Sequence, residues 1–385
     1  MTYIQQAFKG RNSIWLYIAT LVIVMLGWQF IGVIPLLIVA TMHSSSLEEM
    51  YKSAANNFMD LGIDANLFLF LMILMFIGGL IALWFSVKYI HKRSFTSLIT
   101  SRKKTDWKRV FFAFGLWFLV SLSLLVLGYF MAPENYTWNF KLIPFVVLVL
   151  ISFFILPFQT SFEELLFRGY FMQGLGIATI KKSFPFVVFY IIVSVFAYIV
   201  LAEMVEFHKY NGLIRFGIVS ILTALLVLLL NTNLVSKLSK TPIYNGLHAV
   251  LNTTLLPLLV TSVAFGLLHG ANPEVEKLGN IVMVYYIGTG LFLGVLTLMD
   301  EGTELALGFH AANNIVAAIF VTTTWTVFQT DALLIDNSEP SIGFETFVPV
   351  LIIYPILLFI FSKKYGWRNW REKLAGKIVK PNEME

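Results

Sequence analysis

The chain has 385 residues, of which 58% are hydrophobic and only 13% are charged, and its formal net charge is +5. This composition excludes an ordinary soluble globular domain and is typical of a polytopic membrane protein, for which the bilayer is the solvent. Because the chain contains no cysteine, structural disulfides, thiolate nucleophiles and Cys-ligated metals are excluded as well.

Apolar runs long enough to cross a hydrocarbon core, which takes roughly 20 helical residues, recur from one end of the chain to the other. In chain order they cover 14–41, 66–90, 110–131, 142–160, 185–202, 213–231, 247–268, 281–299, 305–324 and 346–362. The first run is too long for the core of a signal peptide, so we expect it to remain as a span. The sequence therefore predicts a single all-α polytopic membrane domain over residues 1–385, with about ten transmembrane helices.

Lysine and arginine collect in segments that we expect to face the cytoplasm, since short cytoplasmic loops retain positive charge. The basic residues between the second and third runs are Lys88, Lys92, Arg93, Arg102, Lys103, Lys104, Lys108 and Arg109. The tail 363–385 is also basic, whereas 42–65 and 325–345 are mainly acidic. This pattern predicts an integral membrane protein with both termini in the cytoplasm. Because topology accounts for the net charge, no nucleic-acid partner is expected.

The first polar interruption of the apolar sequence is S-F-E-E-L-L-F-R-G at 161–169. On a helix Glu164 and Arg168 lie four residues apart and face one another, so each offsets the cost of the other charge. Glu163 points about 100° away from that pair and has no local partner. It is therefore a candidate general base, the alternative being an interfacial residue that reaches toward water.

Two further polar interruptions contain histidine. In T-S-V-A-F-G-L-L-H-G-A-N-P-E at 261–274, His269 closes an apolar run and is either a helix cap or part of a site. In G-F-H-A-A-N-N at 308–314, His310 and Asn314 share one helix face inside a span, where they either join helices through hydrogen bonds or meet at a reaction centre.

Taken in order, Glu-Glu-x-x-x-Arg, Phe-x-x-x-His and His-x-x-x-Asn resemble the motifs of the CPBP family of intramembrane proteases. This family, also called the Abi or CAAX-protease family, includes the eukaryotic CAAX prenyl endopeptidase. The resemblance covers roughly 140–325, and the phrases F-R-G-Y and H-G-A-N-P look like those of bacterial members. It implies an endopeptidase that hydrolyses peptide bonds of a peptide or membrane-protein substrate within the lipid bilayer. The likeness to bacterial members also implies that this membrane is a bacterial inner (cell) membrane.

The resemblance also implies a role for each motif residue. Glu163 would activate water, His269 would help to hold that water, and His310 with Asn314 would polarise the scissile carbonyl or stabilise its oxyanion. The residues that would support this site are Glu164 and Arg168. If a divalent metal such as zinc is bound, Glu163, His269 and His310 would be its ligands, and the sequence leaves this possibility open.

The chain departs from the family pattern at two places. Some members have Asn four residues after the second-motif histidine, whereas this chain has Pro273 there and Asn272 one position earlier, so Asn272 is a doubtful site residue. The distance along the chain from Arg168 to Phe265 also implies an insertion at about 185–246, which would add a helical hairpin to the eight-helix plan of the family. The organisation predicted is thus a catalytic core over 140–325, this insertion, and a cytoplasmic basic tail over 363–385.

The insertion carries a second His-x-x-x-Asn pair, His248 and Asn252, but order along the chain favours His310 as the catalytic histidine. The remaining histidines are expected to be solvated in loops: His43, His91 and His208. For His269 to reach Glu163, the run 247–268 must be broken, and we expect a separate helix over 242–256 that ends before Pro257.

Two other classes of function fit part of this pattern. A proton-coupled transporter would also keep Glu, His and Arg inside the membrane, although the chain lacks a clear pair of matching broken helices. A non-catalytic membrane scaffold or immunity protein of the same fold would keep the helices without the reaction. The complete motif set favours the endopeptidase.

Overall fold

The computed structural model describes residues 1–54, 58–204, 233–343 and 346–381, together with a few isolated positions between 217 and 228. Helices make up most of the described chain. In its first part the α-helices are α1 (Ile14–Met25), α2 (Ile34–His43), α3 (Leu47–Ala54), α4 (Ala65–Phe85), α5 (Thr96–Ile99), α6 (Trp107–Met131), α7 (Leu142–Phe154), α8 (Leu156–Glu164) and α9 (Met172–Thr179). Then follow α10 (Phe184–Met204), α11 (Leu234–Leu238), α12 (Pro242–Leu251), α13 (Leu255–Leu268), α14 (Pro273–Leu278), α15 (Met283–Asp300), α16 (Glu304–Ile319), α17 (Tyr354–Tyr365) and α18 (Trp370–Ala375).

Shorter helical segments join several of these helices. The π-helical ones are Leu26–Ile31, Ser86–Ile90, Leu165–Phe171 and Pro349–Ile353. The 3-10 segments are Ile4–Lys9, Pro133–Asn135, His269–Ala271 and Asn280–Val282. Because the π segment Leu165–Phe171 continues α8 without a break, the two acids and the arginine of the first motif stand on one continuous helical rod.

Five helical stretches are long and apolar enough to cross a membrane: Ile14–His43, Ala65–Ile90, Trp107–Met131, Leu142–Thr179 and Asn280–Asp300. They match predicted spans at 14–41, 66–90, 110–131, 142–160 and 281–299. Large apolar side chains such as Trp15, Phe111 and Phe130 are exposed on these helices, as expected for surfaces that face lipid. The prediction of an all-α polytopic membrane protein is therefore confirmed.

The total of ten spans stays a prediction. Helix α10 covers the predicted run 185–202, whereas α16 and α17 overlap the predicted runs 305–324 and 346–362. The predicted run 213–231 lies outside the described residues, apart from isolated positions. The run 247–268 is not a continuous helix, because α12 ends at Leu251 and α13 begins at Leu255.

The chain divides into two compact units. The first comprises Met1–Gly174 and Leu258–Leu374, and the second comprises Leu175–Pro257 and Ala375–Glu385. In the first unit, a small sheet has the strand order β1-β3-β2, formed by Tyr136–Trp138 (β1), Val321–Thr322 (β2) and Leu334–Asp336 (β3). Strand β1 pairs antiparallel with β3, and β2 pairs parallel with β3, so the sheet ties the segment after α6 to the segment after α16.

The second unit contains the break between α12 and α13. We expected one helix to end just before Pro257, but Pro257 instead lies in the first turn of α13, where the missing N–H of proline costs no hydrogen bond. The side chain of Asn252 accepts a hydrogen bond from Thr179 at 3.1 Å, and its backbone N–H donates to the carbonyl oxygen of His248 at 2.8 Å. Asn252 thus has a structural role in closing α12.

Helix α16 is buried along almost its whole length in the first unit and packs directly on α6. A Cβ atom at Gly308 would lie 2.0 Å from the backbone oxygen of Val110 and 3.0 Å from the backbone nitrogen of Phe114. The two helix backbones therefore touch at Gly308, which sets the depth of the polar side chains that follow on α16.

The prediction that His91 is solvated is wrong. Its ring is fully buried in the first unit, where it contacts the hydroxyl of Tyr170 at 2.7 Å and the backbone oxygen of Arg11 at 2.7 Å. These partners satisfy both ring nitrogens, so burial costs no hydrogen bond. His43 is exposed as expected, and His208 lies outside the described residues.

Candidate active site

The first motif forms a buried ion pair. Nη1 of Arg168 donates to Oε1 of Glu164 at 3.0 Å, and both side chains are fully buried. Nη2 of Arg168 donates to the backbone oxygen of Gly290 at 3.2 Å, and the guanidinium lies 4.0 Å from the ring centroid of Phe265. Through Arg168 the helical rod of α8 and its π segment contacts α13 and α15.

The carboxylate of Glu164 also orients His310. Nδ1 of His310 lies 2.8 Å from Oε1 of Glu164, the oxygen that already accepts from Arg168. Because that oxygen acts as an acceptor, Nδ1 carries the hydrogen and donates it. The other ring nitrogen, Nε2, then faces Oε2 of Glu163 at 3.6 Å. The two neighbouring acids therefore differ as the helix spacing predicts: Glu164 holds the imidazole from behind, and Glu163 stands in front of it.

Glu163 ends a chain of directed hydrogen bonds. Nε1 of Trp117 donates to Asn313 at 3.1 Å, and Nδ2 of Asn313 donates to Asn314 at 3.1 Å. Nδ2 of Asn314 donates to Oε1 of Gln159 at 3.0 Å, and Nε2 of Gln159 donates to Oε1 of Glu163 at 2.5 Å. Oε2 of Glu163 is buried and has no hydrogen-bond partner in the described chain. The chain thus fixes one carboxylate oxygen and leaves the other available.

His269 is oriented by its own helix and by an aromatic neighbour. The Nδ1 of His269 donates to the carbonyl oxygen of Phe265, at 2.9 Å, which leaves Nε2 as the nitrogen that can bind a ligand. The imidazole stacks on Tyr286, with ring centroids 4.4 Å apart. The ring of Phe265 also meets the ring of His310 edge to face at 6.0 Å. The ring of Phe265 therefore packs against both histidines.

Glu163, His269, His310 and Asn314 all line one cavity of about 540 Å³. Most of the other lining side chains are apolar or aromatic, among them Met72, Phe76, Leu293 and Phe328. The structure therefore brings Glu163 together with the histidines of the second and third motifs. A continuous helix over 247–268 would have kept His269 away from Glu163, but this run is broken. Glu164 and Arg168 lie behind this lining.

Several polar residues of the site were missed by the sequence analysis. Gln159 stands four residues before Glu163, a spacing that indicates contact on a helix, and Asn313 adjoins a motif residue. Trp117 gives no such signal, because it lies on α6, far along the chain. Glu274 and Tyr286 also line the cavity, where the Tyr286 hydroxyl donates to Glu274. Asn272 lines the cavity too, and its amide donates to Glu274 at 3.1 Å.

The described residues contain no group of three or more His, Asp or Glu side chains arranged to hold a metal ion. The trio Glu163, His269 and His310 thus does not form a metal-ligand set in this arrangement, and the interpretation as a metalloprotease is not supported.

Comparison with known proteins gives two matches. Residues 141–316 match the family described as type II CAAX prenyl endopeptidase Rce1-like. The chain is also 24% identical over 322 residues to the uncharacterized protein YyaK of Bacillus subtilis, an alignment that covers 82% of this chain and 80% of YyaK. No solved structure matches the chain. All three motifs, from Glu163 to Asn314, lie inside the matched segment.

Proposed function

We propose that the protein, whose residues 141–316 match the family described as type II CAAX prenyl endopeptidase Rce1-like, is an intramembrane endopeptidase in which Glu163 activates water. One observation carries the proposal. Glu163 opens onto a mainly apolar cavity beside an imidazole whose orientation Glu164 fixes. Gln159 holds its Oε1, and its Oε2 has no hydrogen-bond partner among the described residues. A positioned base next to oriented donors is what hydrolysis of an amide requires.

In the proposed reaction, Oε2 of Glu163 takes a proton from a water molecule while the water oxygen attacks the carbonyl carbon of the scissile peptide. His269, through Nε2, helps to hold that water. The protonated Glu163 then gives the proton to the leaving nitrogen as the carbon–nitrogen bond breaks, so the products are a carboxyl group and an amine. The proton is thus carried from water to the leaving group by one carboxylate.

The negative charge that develops on the carbonyl oxygen needs hydrogen-bond donors. Asn314 uses one amide hydrogen for Gln159 and has a second one to offer. His310 donates from Nε2 when that nitrogen is protonated, with its ring held in place by the Glu164 carboxylate. Each well-placed donor of this kind contributes about 3–4 kcal/mol to transition-state stabilisation. Glu164 and Arg168 act through His310 and not on the substrate.

The experiment that tests this function is cleavage of a quenched fluorescent peptide library by the purified protein in detergent. Wild type is compared with Glu163→Gln and His310→Ala, each with and without a chelator, and the exposed Glu134→Gln serves as a control for charge removal. We expect cleavage by wild type and the control, and a loss of at least about a hundredfold in both site variants. Full activity of Glu163→Gln would refute the assignment of the base. Absence of cleavage by wild type would favour a scaffold or a transporter, and the chelator arm tests for a metal directly.

A further inference from the structure

The permanently charged side chains described in the lining of the cavity are both acidic. Its lining includes two carboxylates, Glu163 and Glu274, and two histidines, His269 and His310. No lysine or arginine is among the described residues that line it. Because the lining is mainly apolar, the negative charge of the carboxylates is weakly screened, so the cavity favours cationic or neutral groups over anionic ones.

Glu274 is the acid that the proposed chemistry does not use. It is buried at the start of α14, only 7% exposed. Its Oε1 accepts from the Tyr286 hydroxyl and from Asn272, and its Oε2 accepts from the backbone N–H of Val327 at 3.1 Å. All three donors are uncharged. A carboxylate offers about four lone-pair positions, so these bonds hold the group rigidly without neutralising it, and they leave it able to accept from a ligand.

We propose that Glu274 forms a subsite for a positively charged group of the substrate, so that the protein acts on an apolar peptide segment that carries a lysine or arginine. This inference rests on the proposed function and names its substrate class. An internal segment with a basic side chain fits the cavity, whereas a free C-terminal carboxylate would meet two acids and no lysine or arginine from the described lining.

The surroundings of Glu274 suit an ammonium or guanidinium group. Tyr286, which donates to Glu274, presents its ring to the same cavity and stacks on His269. Aromatic faces attract cations, especially where water is excluded. Because Tyr286 contacts both Glu274 and His269, a cation bound at Glu274 lies near the side of the cavity where the proposed water would be held.

The test compares peptides that differ at one position in an otherwise apolar sequence, with lysine, norleucine or glutamate there and with an amidated or a free C-terminus. Affinity is measured by fluorescence anisotropy with uncleavable analogues in which the scissile nitrogen is methylated, and cleavage is measured separately. We expect wild type to bind the lysine peptide at least about tenfold more tightly than the norleucine peptide, since close charge pairs in protein interfaces contribute at least that much. We also expect the amidated form to bind more tightly than the free acid.

Two variants identify the group responsible. Glu274→Gln keeps the size of the side chain and should reduce the ratio of lysine to norleucine affinity to about one, whereas Glu274→Lys should make the glutamate peptide the preferred one. The matched control is Glu276→Gln, which removes the same charge from the exposed side of the same short helix and should leave the ratio unchanged. Equal affinities of wild type for both peptides, or a lysine preference that survives in Glu274→Gln, would overturn the proposal. Lysine-selective binding without any cleavage would support the subsite while refuting the endopeptidase.

Discussion

The indole N–H of Trp117 donates to the side-chain oxygen of Asn313, 3.1 Å away. Because an indole N–H can only donate, this bond fixes which end of the Asn313 amide is the acceptor, and hence the direction of every later bond in the chain. The last bond of that chain reaches Glu163 from Gln159. A tryptophan on α6 thus orients the proposed base on α8 through the polar face of α16.

This arrangement predicts a measurable effect of Trp117→Phe. In the wild type the ring centroids of Trp117 and Phe309 are 4.3 Å apart. The substitution keeps an aromatic ring beside Phe309 but removes the indole N–H that donates to Asn313. Loss of one buried hydrogen bond costs about 1 kcal/mol, so we expect kcat to fall by roughly fivefold with little change in KM. Steady-state kinetics on a cleaved peptide provides the measurement. Trp107→Phe, on an exposed position of the same helix, is the control and should be without effect.

Gln159 is predicted to matter more, because it contacts Glu163 directly. Gln159→Met keeps the length of the side chain but removes both the donor to Glu163 and the acceptor for Asn314. We expect kcat to fall by about a hundredfold, since the base and an oxyanion donor both lose their orientation. In a double-mutant cycle, Trp117→Phe should have almost no further effect on Gln159→Met. Additive losses would mean that the hydrogen-bond chain does not act as one unit.

The local spacing of the sequence was enough to predict the roles of adjacent residues in the first motif. Glu164 and Arg168 pair because they stand four residues apart, and Glu163 faces elsewhere for the same reason. The helical fold and five of the spans followed from apolar run length alone. These properties depend on residues close together in the chain, which is why they can be read without a structure.

Contacts between distant segments could not be predicted in the same way. Nothing near Trp117 indicates a partner on α16, and nothing near His91 indicates that Tyr170 would bury it. A buried histidine and a solvated histidine look alike in a sequence, because burial depends on helices that approach from distant parts of the chain. The pairing of Glu274 with the backbone of Val327 is another such contact.

The buried ion pair of the first motif makes a prediction about stability. Glu164→Gln leaves the guanidinium of Arg168 fully buried without its counter-charge, and breaking one member of such a pair costs about 3–5 kcal/mol. We expect a lower thermal unfolding midpoint in detergent, together with loss of activity because His310 loses its orienting acceptor. The double variant Glu164→Gln with Arg168→Met should recover much of the stability but not the activity. Glu163→Gln, which removes an acid from the same helix, should lose activity while unfolding close to wild type.

The contact between α6 and α16 gives the last prediction. A methyl group at Gly308 would collide with backbone atoms of Val110 and Phe114, and backbone cannot move aside as a flexible side chain can. Gly308→Ala should therefore lower the free energy of unfolding by about 1–3 kcal/mol. It should also shift His310 and Asn314, two and six residues later on the same helix, so kcat should fall even under conditions where the variant stays folded. Gly115→Ala is the matched control on α6, since no described atom outside its own turn of backbone lies within 4 Å of the added methyl. Relief of the glycine's chain entropy should stabilise that variant by about 0.5–1 kcal/mol with activity unchanged. If both variants behave alike, the backbone contact at Gly308 does not set the position of the proposed oxyanion site.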